Sequence, residues 1–337
     1  MIEKKILCTI GPTSLNEITI KVLEKLGATL LRINLSHTNI EDLESVIKKI
    51  RKYTKIPICI DTEGAQIRTN KFNFNFKKDQ IYKLKNNKDE FSIRPFHIIE
   101  EQVKEGDLIS IDFNNVVVKV TEVLKNLIKV KTINPGKAGE NKAVSILKEI
   151  DIPPFSQKDY EALKISSNLG ITNYAISFAS SRNNIKEIRK LVPKNSFIIS
   201  KVESRKGLHN LLEIIDESDA ILIDRGDLSR EISLEKIPLF QKVIIKKATS
   251  MNKEVYVATN LLESMIENPI PTRAEVNDIF NTLLDGASGL VLAAETAIGK
   301  YPIDSVEITK QIVDFYNSIE NIESQDFNNY EIIKKNI

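Results

Sequence analysis

The sequence has few of the features that would assign it to a specialised class of protein. Its 337 residues include two cysteines, too few for a disulfide-linked scaffold, so both are expected to be reduced thiols. No apolar run approaches the length of a membrane span, and the charged amino terminus is not typical of a signal peptide. The 48 basic and 46 acidic residues nearly balance, which argues against a nucleic-acid binder. We therefore expect a cytoplasmic globular protein with neither a membrane nor a nucleic-acid partner.

Histidine is also scarce, and its pattern argues against a zinc site. The three histidines, His37, His97 and His209, do not cluster with each other or with cysteine at the spacings that zinc ligands have. The chain has no low-complexity tract and no repeat of fixed period beyond the alternation of strands and helices. Its function must therefore be sought in that alternation and in the polar residues that follow the strands.

Strand-like and helix-like segments alternate along most of the chain. In the first helical segment Ile18, Val22 and Leu26 recur at helical spacing, and Gly27 is placed to end the helix. Alternation of this kind predicts parallel strands joined by right-handed crossovers. Three such strands precede residue 70 and five follow residue 150. Eight is the number of units that closes a (β/α)₈ TIM barrel, so the predicted fold class is α/β.

Residues 70–150 interrupt this rhythm. Between short runs such as QIYKLK, DLISID and LIKVKTI the apolar period falls toward two, and no segment has helical spacing over three turns. This composition predicts a small antiparallel β barrel or sandwich inserted after the third barrel strand. We expect a discontinuous barrel at 1–69 and 151–320, an inserted β domain at 70–150, and a C-terminal tail at 321–337.

The stretch from Phe197 to Asp227 gives the clearest functional signal. It contains two β-branched runs, FIIS and AILID, which are typical of buried parallel strands. Lys201 and Glu203 follow the first run, and the sequence Arg-Gly-Asp at 225–227 follows the second. Ligands of α/β proteins bind at the carboxyl ends of parallel strands. Two acids that could share a divalent metal, beside a lysine that could meet an anion, indicate phosphate or enolate chemistry.

Other predicted strands also end in polar residues. Taken singly these residues have ordinary explanations, such as a helix N-cap, a surface ion pair or a strand end. Taken together they indicate a catalytic rim, because the catalytic groups of TIM barrels come from the carboxyl ends of several strands. The residues concerned are Arg32, Asn34 and Ser36 after the second strand, Asp61, Thr62 and Arg68 after the third, and Thr259 after the seventh.

The chemistry of these side chains agrees with that interpretation. Glu203 and Asp227 offer hard oxygen ligands of the kind that Mg²⁺ prefers. Lys201 could neutralise charge that develops on a phosphoryl group or an enolate. Arg32 and Arg68 carry forked donors that suit phosphate oxygens. Gly226 would let backbone N–H groups approach a carboxylate or phosphate closely, because it has no side chain.

Seven segments of the chain resemble the pyruvate kinase family. They cover nearly the whole chain in the family's order, and the pattern MxxxPxPTRAEVxD is highly specific. The resemblance includes the interruption of the barrel, where the family inserts a mobile lid domain. The segments are CTIGPTS (8–14), LLRINLSH (30–37), DTEGAQIRT (61–69), ISKVES (199–204), DRGDLSREI (224–232), the long stretch 257–287 and AAETAIGKYP (293–302).

The resemblance implies Mg²⁺-dependent phosphoryl transfer between phosphoenolpyruvate and ADP, giving pyruvate and ATP. It implies Mg²⁺ on Glu203 and Asp227 and transition-state neutralisation by Lys201. Thr259 would lie beside the methylene carbon of the substrate, whose carboxylate would be held by the backbone of Arg225, Gly226 and Asp227. With Lys201, Thr259 and Arg32 are expected to be catalytic.

The same resemblance implies a nucleotide site and a second, monovalent cation site. Potassium would be the cofactor of the second site. The residues implied for the nucleotide are Pro12, Arg32, Asn34, His37, Arg68 and, in the lid, Lys142. Those implied for K⁺ are Asn34, Ser36, Asp61 and Thr62. A homo-oligomer is possible, and no C-terminal regulatory domain is expected after the last barrel helix.

Several positions depart from the family pattern and leave the substrate open. Gln66 stands where members carry Glu or Lys, Asn260 stands for Gln, and Ala293-Ala294 replaces Ser-Gly. Asp224 replaces a small apolar residue, and it either points outward to pair with a basic residue or contacts a group that phosphoenolpyruvate lacks. Glycolytic pyruvate kinase is the leading interpretation. The alternatives are an enzyme of a specialised pathway that acts on another keto or hydroxy acid, and a non-catalytic binding or regulatory homologue.

Overall fold

The computed structural model describes residues 4–64, 66–70, 73–86, 91–112, 114–148 and 150–319. The chain divides into two compact units, one made of Met1–Gly64 with Phe155–Ile337 and the other of Ala65–Pro154. The predicted tail at 321–337 lies outside the described residues. None of the helices in the described ranges is long and apolar enough to cross a membrane.

The first unit opens with three strands separated by two helices. The side chain of Asn16 caps the first helix by accepting a hydrogen bond of 2.9 Å from the N–H of Thr19. Ile20 and Leu23 form the buried face of this helix, whereas Ile18, one of the residues whose spacing predicted the helix, is 75% exposed. The elements are β1 Lys5–Thr9, α1 Glu17–Lys25, β2 Ala28–Asn34, α2 Ile40–Tyr53 and β3 Ile58–Asp61.

The second unit is mainly antiparallel β structure, as its period of two predicted. Seven of its described strands form one sheet, in the order β6-β10-β9-β8-β12-β4-β7, and β11 pairs with β5. Its seven-residue helix α3 was not predicted, because it is too short to show a helical pattern over three turns. The elements are β4 Ile67–Thr69, β5 Phe74–Phe76, β6 Ile81–Lys85, β7 Ile93–Arg94, α3 Phe96–Gln102, β8 Leu108–Ile111, β9 Val116–Leu124, β10 Leu127–Asn134, β11 Gly136–Ala138 and β12 Ala143–Ile146.

The chain then returns to the first unit and resumes the alternation of helix and strand. Two of the longer helices start with reciprocal caps, in which a hydroxyl residue and an acid three residues later satisfy each other's backbone N–H groups. The elements are α4 Gln157–Asn168, β13 Asn173–Ile176, α5 Arg182–Leu191, β14 Phe197–Val202, α6 Arg205–His209, α7 Leu211–Glu217, β15 Ala220–Asp224, α8 Arg225–Leu228, α9 Ile237–Ser250, β16 Glu254–Ala258, α10 Arg273–Leu284, β17 Gly289–Leu292, α11 Ala294–Ala297 and α12 Pro302–Ser318.

Eight parallel strands of the first unit close into a barrel. Their order is β1-β17-β16-β15-β14-β13-β3-β2, and β17 pairs with β1 to complete the ring. This confirms the predicted (β/α)₈ architecture. It also brings the carboxyl ends of all eight strands to the same end of the barrel, since parallel strands all point the same way.

Side chains along each barrel strand alternate between the helices and the interior of the barrel. In β15, Ile221 and Ile223 pack in the large core shared with the helices, whereas Ala220 and Leu222 belong to a smaller core drawn from all eight strands. Asp224 has the same parity as Ala220 and Leu222, so the pleat directs it inward. The same rule applies to Arg32 in β2, Asp61 in β3 and Lys201 in β14. Alternation therefore delivers four charged residues to one end of the barrel interior.

Candidate active site

Lys201 lies at the centre of a buried group of charged residues at the carboxyl end of the barrel. Its side chain is 4% exposed, and its Nζ lies 2.8 Å from Oε1 of Glu203, 3.3 Å from Oδ2 of Asp61 and 3.5 Å from Oδ2 of Asp224. Burial alone would lower the pKa of Lys201, but these three carboxylates outweigh it and the net pKa is raised. The ammonium group is therefore a fixed positive charge at neutral pH.

Asp61 binds both buried cations of the site. Its Oδ2 accepts a hydrogen bond of 2.7 Å from Nε of Arg32 and one of 3.3 Å from Nζ of Lys201. Arg32 also donates to the hydroxyl of Thr9 at 2.9 Å. Asp61 was predicted as a cation ligand. In the structure its side chain forms these ion pairs within the protein, and its Oδ1 accepts a hydrogen bond of 3.2 Å from the hydroxyl of Ser177.

The end of the fourth barrel strand contributes two residues that were not predicted from the sequence. The hydroxyl of Ser177 accepts a hydrogen bond of 3.1 Å from Lys201. The backbone N–H of Phe178, which has a φ of 53°, donates to Oε2 of Glu203 at 2.6 Å. The only signal in the sequence was the serine that ends the run NYAIS, at the position where the neighbouring strands also carry polar residues.

Three carboxylates converge beside Lys201. Glu203, Asp224 and Asp227 each present an oxygen, and these oxygens all lie within 4.8 Å of one another. Burial, followed by the negative charges of Asp227 and Asp224, raises the pKa of Glu203 to about 8 against the opposing effect of Lys201. Packing these carboxylates together disfavours their charged forms, and a divalent cation bound among them would relieve that repulsion.

Asp224 points into this group. It is 5% exposed, and its Oδ1 accepts a hydrogen bond of 3.3 Å from the hydroxyl of Thr259. Although burial would raise the pKa of Asp224, the charges of Lys201 and Arg32 outweigh that effect and lower it. The suggestion that Asp224 points outward was wrong, because strand alternation turns it toward the barrel interior.

The loop after β16 is held by a bidentate ion pair. Nη1 of Arg225 donates to both carboxylate oxygens of Asp278, at 2.9 and 2.8 Å, and its Nε and Nη2 donate to the carbonyl oxygen of Thr259 at 3.1 and 2.6 Å. Thr259 has a φ of 71°, which is strained for a β-branched residue. Its hydroxyl accepts a hydrogen bond of 2.7 Å from the N–H of Gly226. The guanidinium of Arg225 thus stabilises Thr259 in a conformation in which its hydroxyl contacts Asp224.

A short turn after β3 packs against Ser177 and supports the site. Gly64 has a φ of 74°, and a Cβ there would lie 2.8 Å from the Cβ of Ser177, so only glycine fits. The buried carboxylate of Asp159, at the start of α4, accepts hydrogen bonds from the N–H groups of Glu63 at 2.7 Å and Gly64 at 3.0 Å. Thr62 accepts at 2.9 Å from the N–H of Ser177. This packing fixes Asp61 and Ser177 next to each other.

Comparison with known proteins adds an independent result. The sequence model of the pyruvate kinase barrel domain matches residues 1–306 of this chain. The chain belongs to the pyruvate kinase family. A pyruvate kinase of Thermotoga maritima is 34% identical over 95% of this chain and 74% of its own length. Those of Sporosarcina psychrophila and Aeropyrum pernix are 35% and 33% identical, and the aligned regions cover 56% and 68% of those proteins.

Members of the pyruvate kinase family are phosphotransferases. In this chain the predicted site residues that have not yet been described lie in both units. In the first unit Pro12 and His37 are exposed in turns after β1 and β2, and Oδ1 of Asn34 accepts from the N–H of Ser36 at 2.9 Å. In the second unit Arg68 donates to the carbonyl of Asn141 at 2.9 Å. Lys142 lies 3.2 Å from Asp112.

Two departures from the pyruvate kinase pattern lie at the barrel end as well. Asn260 has a φ of 54° and donates to the carboxylate of Glu263. The N–H of Ala293 donates to Oε2 of Glu295 at 2.7 Å, and no side-chain hydroxyl is available at that position. The backbone at Ala293 is therefore anchored, but its side chain offers no proton donor.

Proposed function

We propose that this chain catalyses Mg²⁺-dependent phosphoryl transfer between phosphoenolpyruvate and ADP, giving pyruvate and ATP. The observation that carries the proposal is the buried ammonium of Lys201, which lies beside Glu203 and the Asp227 carboxylate at the carboxyl end of a pyruvate kinase family barrel. A fixed positive charge beside converging carboxylate oxygens suits a reaction in which negative charge moves between oxygens.

Glu203 and Asp227 would hold the Mg²⁺. The donor set fits this ion, because Mg²⁺ is usually bound by one or two carboxylates together with substrate oxygens and water. The geometry fits as well, since the oxygens lie within 4.8 Å of one another. Oε1 of Glu203 is buried, and the ammonium group of Lys201 that lies 2.8 Å from it is shared with Asp61 and Asp224. When bound, the ion would neutralise charge on the phosphoryl and enolate oxygens.

Lys201 would act by charge rather than by proton transfer. The bond between phosphorus and the enol oxygen of phosphoenolpyruvate breaks, a bond to an oxygen of the ADP β-phosphate forms, and the enolate is then protonated on carbon. Because the pKa of Lys201 is raised, its ammonium stays protonated and stabilises the negative oxygens during transfer. Protonation of the enolate must use a different group.

The backbone of Arg225-Gly226-Asp227 would hold the carboxylate of the substrate, with Thr259 beside the methylene carbon. Gly226 suits this task because it has no side chain that could obstruct the approach of a carboxylate to its backbone N–H. The N–H of Gly226 now donates to that hydroxyl and would be shared with the substrate. The strained backbone of Thr259 is consistent with a residue held in place for function.

The remaining parts of the proposal concern the nucleotide, the second cation and the lid. The β unit would exclude water from the reacting phosphoryl group, as a lid does. The chain would act in the cytoplasm, and a homo-oligomer is compatible with it. The nucleotide would contact Pro12, Arg32, Asn34, His37, Arg68 and Lys142, and K⁺ would be held near Asn34, Ser36, Asp61 and Thr62.

An assay of pyruvate formation tests the proposal. The purified chain is mixed with phosphoenolpyruvate, ADP and Mg²⁺, with K⁺ present or absent, and pyruvate is followed through an NADH-linked reduction. We expect pyruvate formation that needs both ADP and Mg²⁺ and that stops when the metal is chelated. A folded protein that forms no pyruvate under any of these conditions would favour the alternative substrate or the non-catalytic homologue.

A further inference from the structure

We propose that Asp224 is a third carboxylate ligand of the divalent cation, beside Glu203 and Asp227. The inference rests on the proposed function, because it concerns the same metal site. The inference goes beyond the proposed function, because the family pattern has a small apolar residue at position 224. In this chain the metal site would therefore carry one more negative charge than the resemblance implies.

The direction of the Asp224 side chain supports this assignment. Asp224 ends β15 with the same parity as Ala220 and Leu222, which pack inside the barrel. Its side chain is therefore directed to the interior, where it is 5% exposed. An oxygen of Asp224 lies within 4.8 Å of the oxygens offered by Glu203 and Asp227. Three hard oxygen donors at this separation can bind one divalent cation while leaving positions for water and substrate.

Glu203 supports the same assignment, because its carboxylate is fully buried and a buried carboxylate needs a neutralising partner. The nearest cation is Lys201, 2.8 Å away, but that ammonium group also contacts Asp61 and Asp224. A buried carboxylate that shares one ammonium group with two other carboxylates is incompletely neutralised, and a bound cation would complete the neutralisation. Glu203 therefore points to a ligand at the position that Asp224 faces.

A purely structural role for Asp224 as a partner of Lys201 explains less. The separation between Lys201 and Asp224 is 3.5 Å, the longest of the three carboxylate contacts of this lysine. Lys201 donates instead to Asp61 and Ser177. One oxygen of Asp224 accepts from the hydroxyl of Thr259, and a carboxylate has enough lone pairs to bind a cation as well.

A third carboxylate has two consequences for the reaction. It should tighten cation binding, since adding charged ligands raises the affinity of oxygen-lined sites for divalent metals. It also places a negative charge beside the backbone that would receive the carboxylate of phosphoenolpyruvate, which should weaken the binding of that anion. Asp224 would thus determine substrate specificity, because it favours binding of the metal and disfavours a substrate that places a carboxylate next to Asp224.

Binding of Mn²⁺ without substrates tests this inference directly. Free Mn²⁺ is measured by electron paramagnetic resonance during titration of the full chain and of Asp224→Asn and Asp224→Ala. The isosteric Asn keeps the shape of the side chain, and the Ala restores the small residue of the family. Because the measurement needs no turnover, it does not depend on the identity of the substrate.

We expect both variants to weaken Mn²⁺ binding by on the order of tenfold. As a matched control, Asp216→Asn removes an exposed carboxylate that pairs with Arg182 on the surface, and it should leave Mn²⁺ affinity unchanged. Thermal melts establish that each variant is folded. If Asp224→Ala also lowers the KM for phosphoenolpyruvate, the proposed effect on substrate specificity is supported.

Two outcomes separate failure of this inference from failure of the proposed metal site. If Glu203→Gln weakens Mn²⁺ binding while folded Asp224→Asn and Asp224→Ala bind it within twofold of the unmodified chain, Asp224 is not a ligand and the inference is wrong. If the unmodified chain binds no Mn²⁺ at all, the metal site itself is wrong and the inference falls with it.

Discussion

Two lysines on barrel strands, one at each end of the barrel, illustrate how differently the molecule uses the same residue. Lys5 begins β1, is 37% exposed in its side chain, and pairs with Glu254 at the beginning of β16. Its Nζ donates to both oxygens of that carboxylate, at 2.7 and 2.8 Å. Lys201 lies near the carboxyl end of β14, is 4% exposed, and lies within 3.5 Å of three carboxylates.

The two ends of the barrel differ in whether the numbers of positive and negative side chains match. At the amino end one cation meets one anion in contact with water, an arrangement that contributes little to stability and requires no ligand. At the carboxyl end the carboxylates outnumber the cations that contact them, and burial makes that excess expensive. This excess of carboxylates, and not the presence of ion pairs as such, therefore distinguishes the carboxyl end and supports the site proposed there.

The largest expected effect comes from Lys201→Met. Loss of the fixed positive charge should lower turnover of phosphoenolpyruvate and ADP by on the order of a thousandfold. It should also destabilise the metal-free protein by about 3 kcal/mol or more, because buried carboxylates lose their partner. Turnover per folded molecule and thermal melts with and without Mg²⁺ measure both. A folded variant that kept most of its turnover would remove Lys201 from the mechanism.

The next effect tests how the loop that carries Thr259 is held. Asp278→Ala removes the carboxylate that binds Arg225, so the guanidinium should hold the Thr259 carbonyl less firmly. A small misplacement of this kind should lower kcat/KM about tenfold to a hundredfold. Asp278→Glu, which keeps the charge, should recover part of the loss. Equal kinetics for Asp278→Ala and the unmodified chain would show that the ion pair does not position Thr259.

A third prediction uses pH to test for the excess charge. Since the pKa of Glu203 in the folded chain is raised from 4.5 to about 8, the folded state holds a proton that the unfolded chain releases. The folded state therefore loses stability, relative to Glu203→Gln, as the pH rises through that window. In metal-free buffer the advantage of Glu203→Gln should grow by about 4 kcal/mol between pH 5 and pH 9. Parallel stability curves would contradict the assigned excess of charge.

The smallest effect belongs to the amino end. Lys5→Met breaks a half-exposed pair, so it should change the free energy of unfolding by only about 0–1 kcal/mol and leave turnover unchanged. Denaturant unfolding and the pyruvate assay measure the two quantities, with Lys201→Met as the matched variant. A loss of activity in Lys5→Met would end the contrast between the two lysines.

Much of the barrel could be predicted from the sequence because its strands and helices follow simple periods. The sequence also contained information about the direction of the Asp224 side chain, since the alternation in AILID places it on the same face of the strand as Ala220 and Leu222. The spacing of apolar residues predicted the helix α1 but not its buried face, because Ile18 is as apolar as Ile20 and a helix of nine residues allows more than one frame. Tertiary packing selected the frame that buries Ile20 and Leu23.

The parts of the site that were not predicted depend on backbone conformation or on distant partners. The N–H of Phe178 reaches Glu203 because φ is 53° there, which nothing in the residue type indicates. The partner of Arg225 is 53 positions away and cannot be paired with it by local spacing. Closure of the barrel brings such residues together, so their roles become visible only in three dimensions.

Phosphorus nuclear magnetic resonance tests the central claim most directly. The chain is incubated with phosphoenolpyruvate, ADP and Mg²⁺, in parallel with Lys201→Met and Lys5→Met, and the transferred phosphoryl group is followed over time. The account predicts that the phosphoenolpyruvate signal is replaced by the γ-phosphate signal of ATP for the unmodified chain and for Lys5→Met, and that it persists for Lys201→Met. No transfer by the folded unmodified chain, or equal transfer by all three proteins, would contradict it.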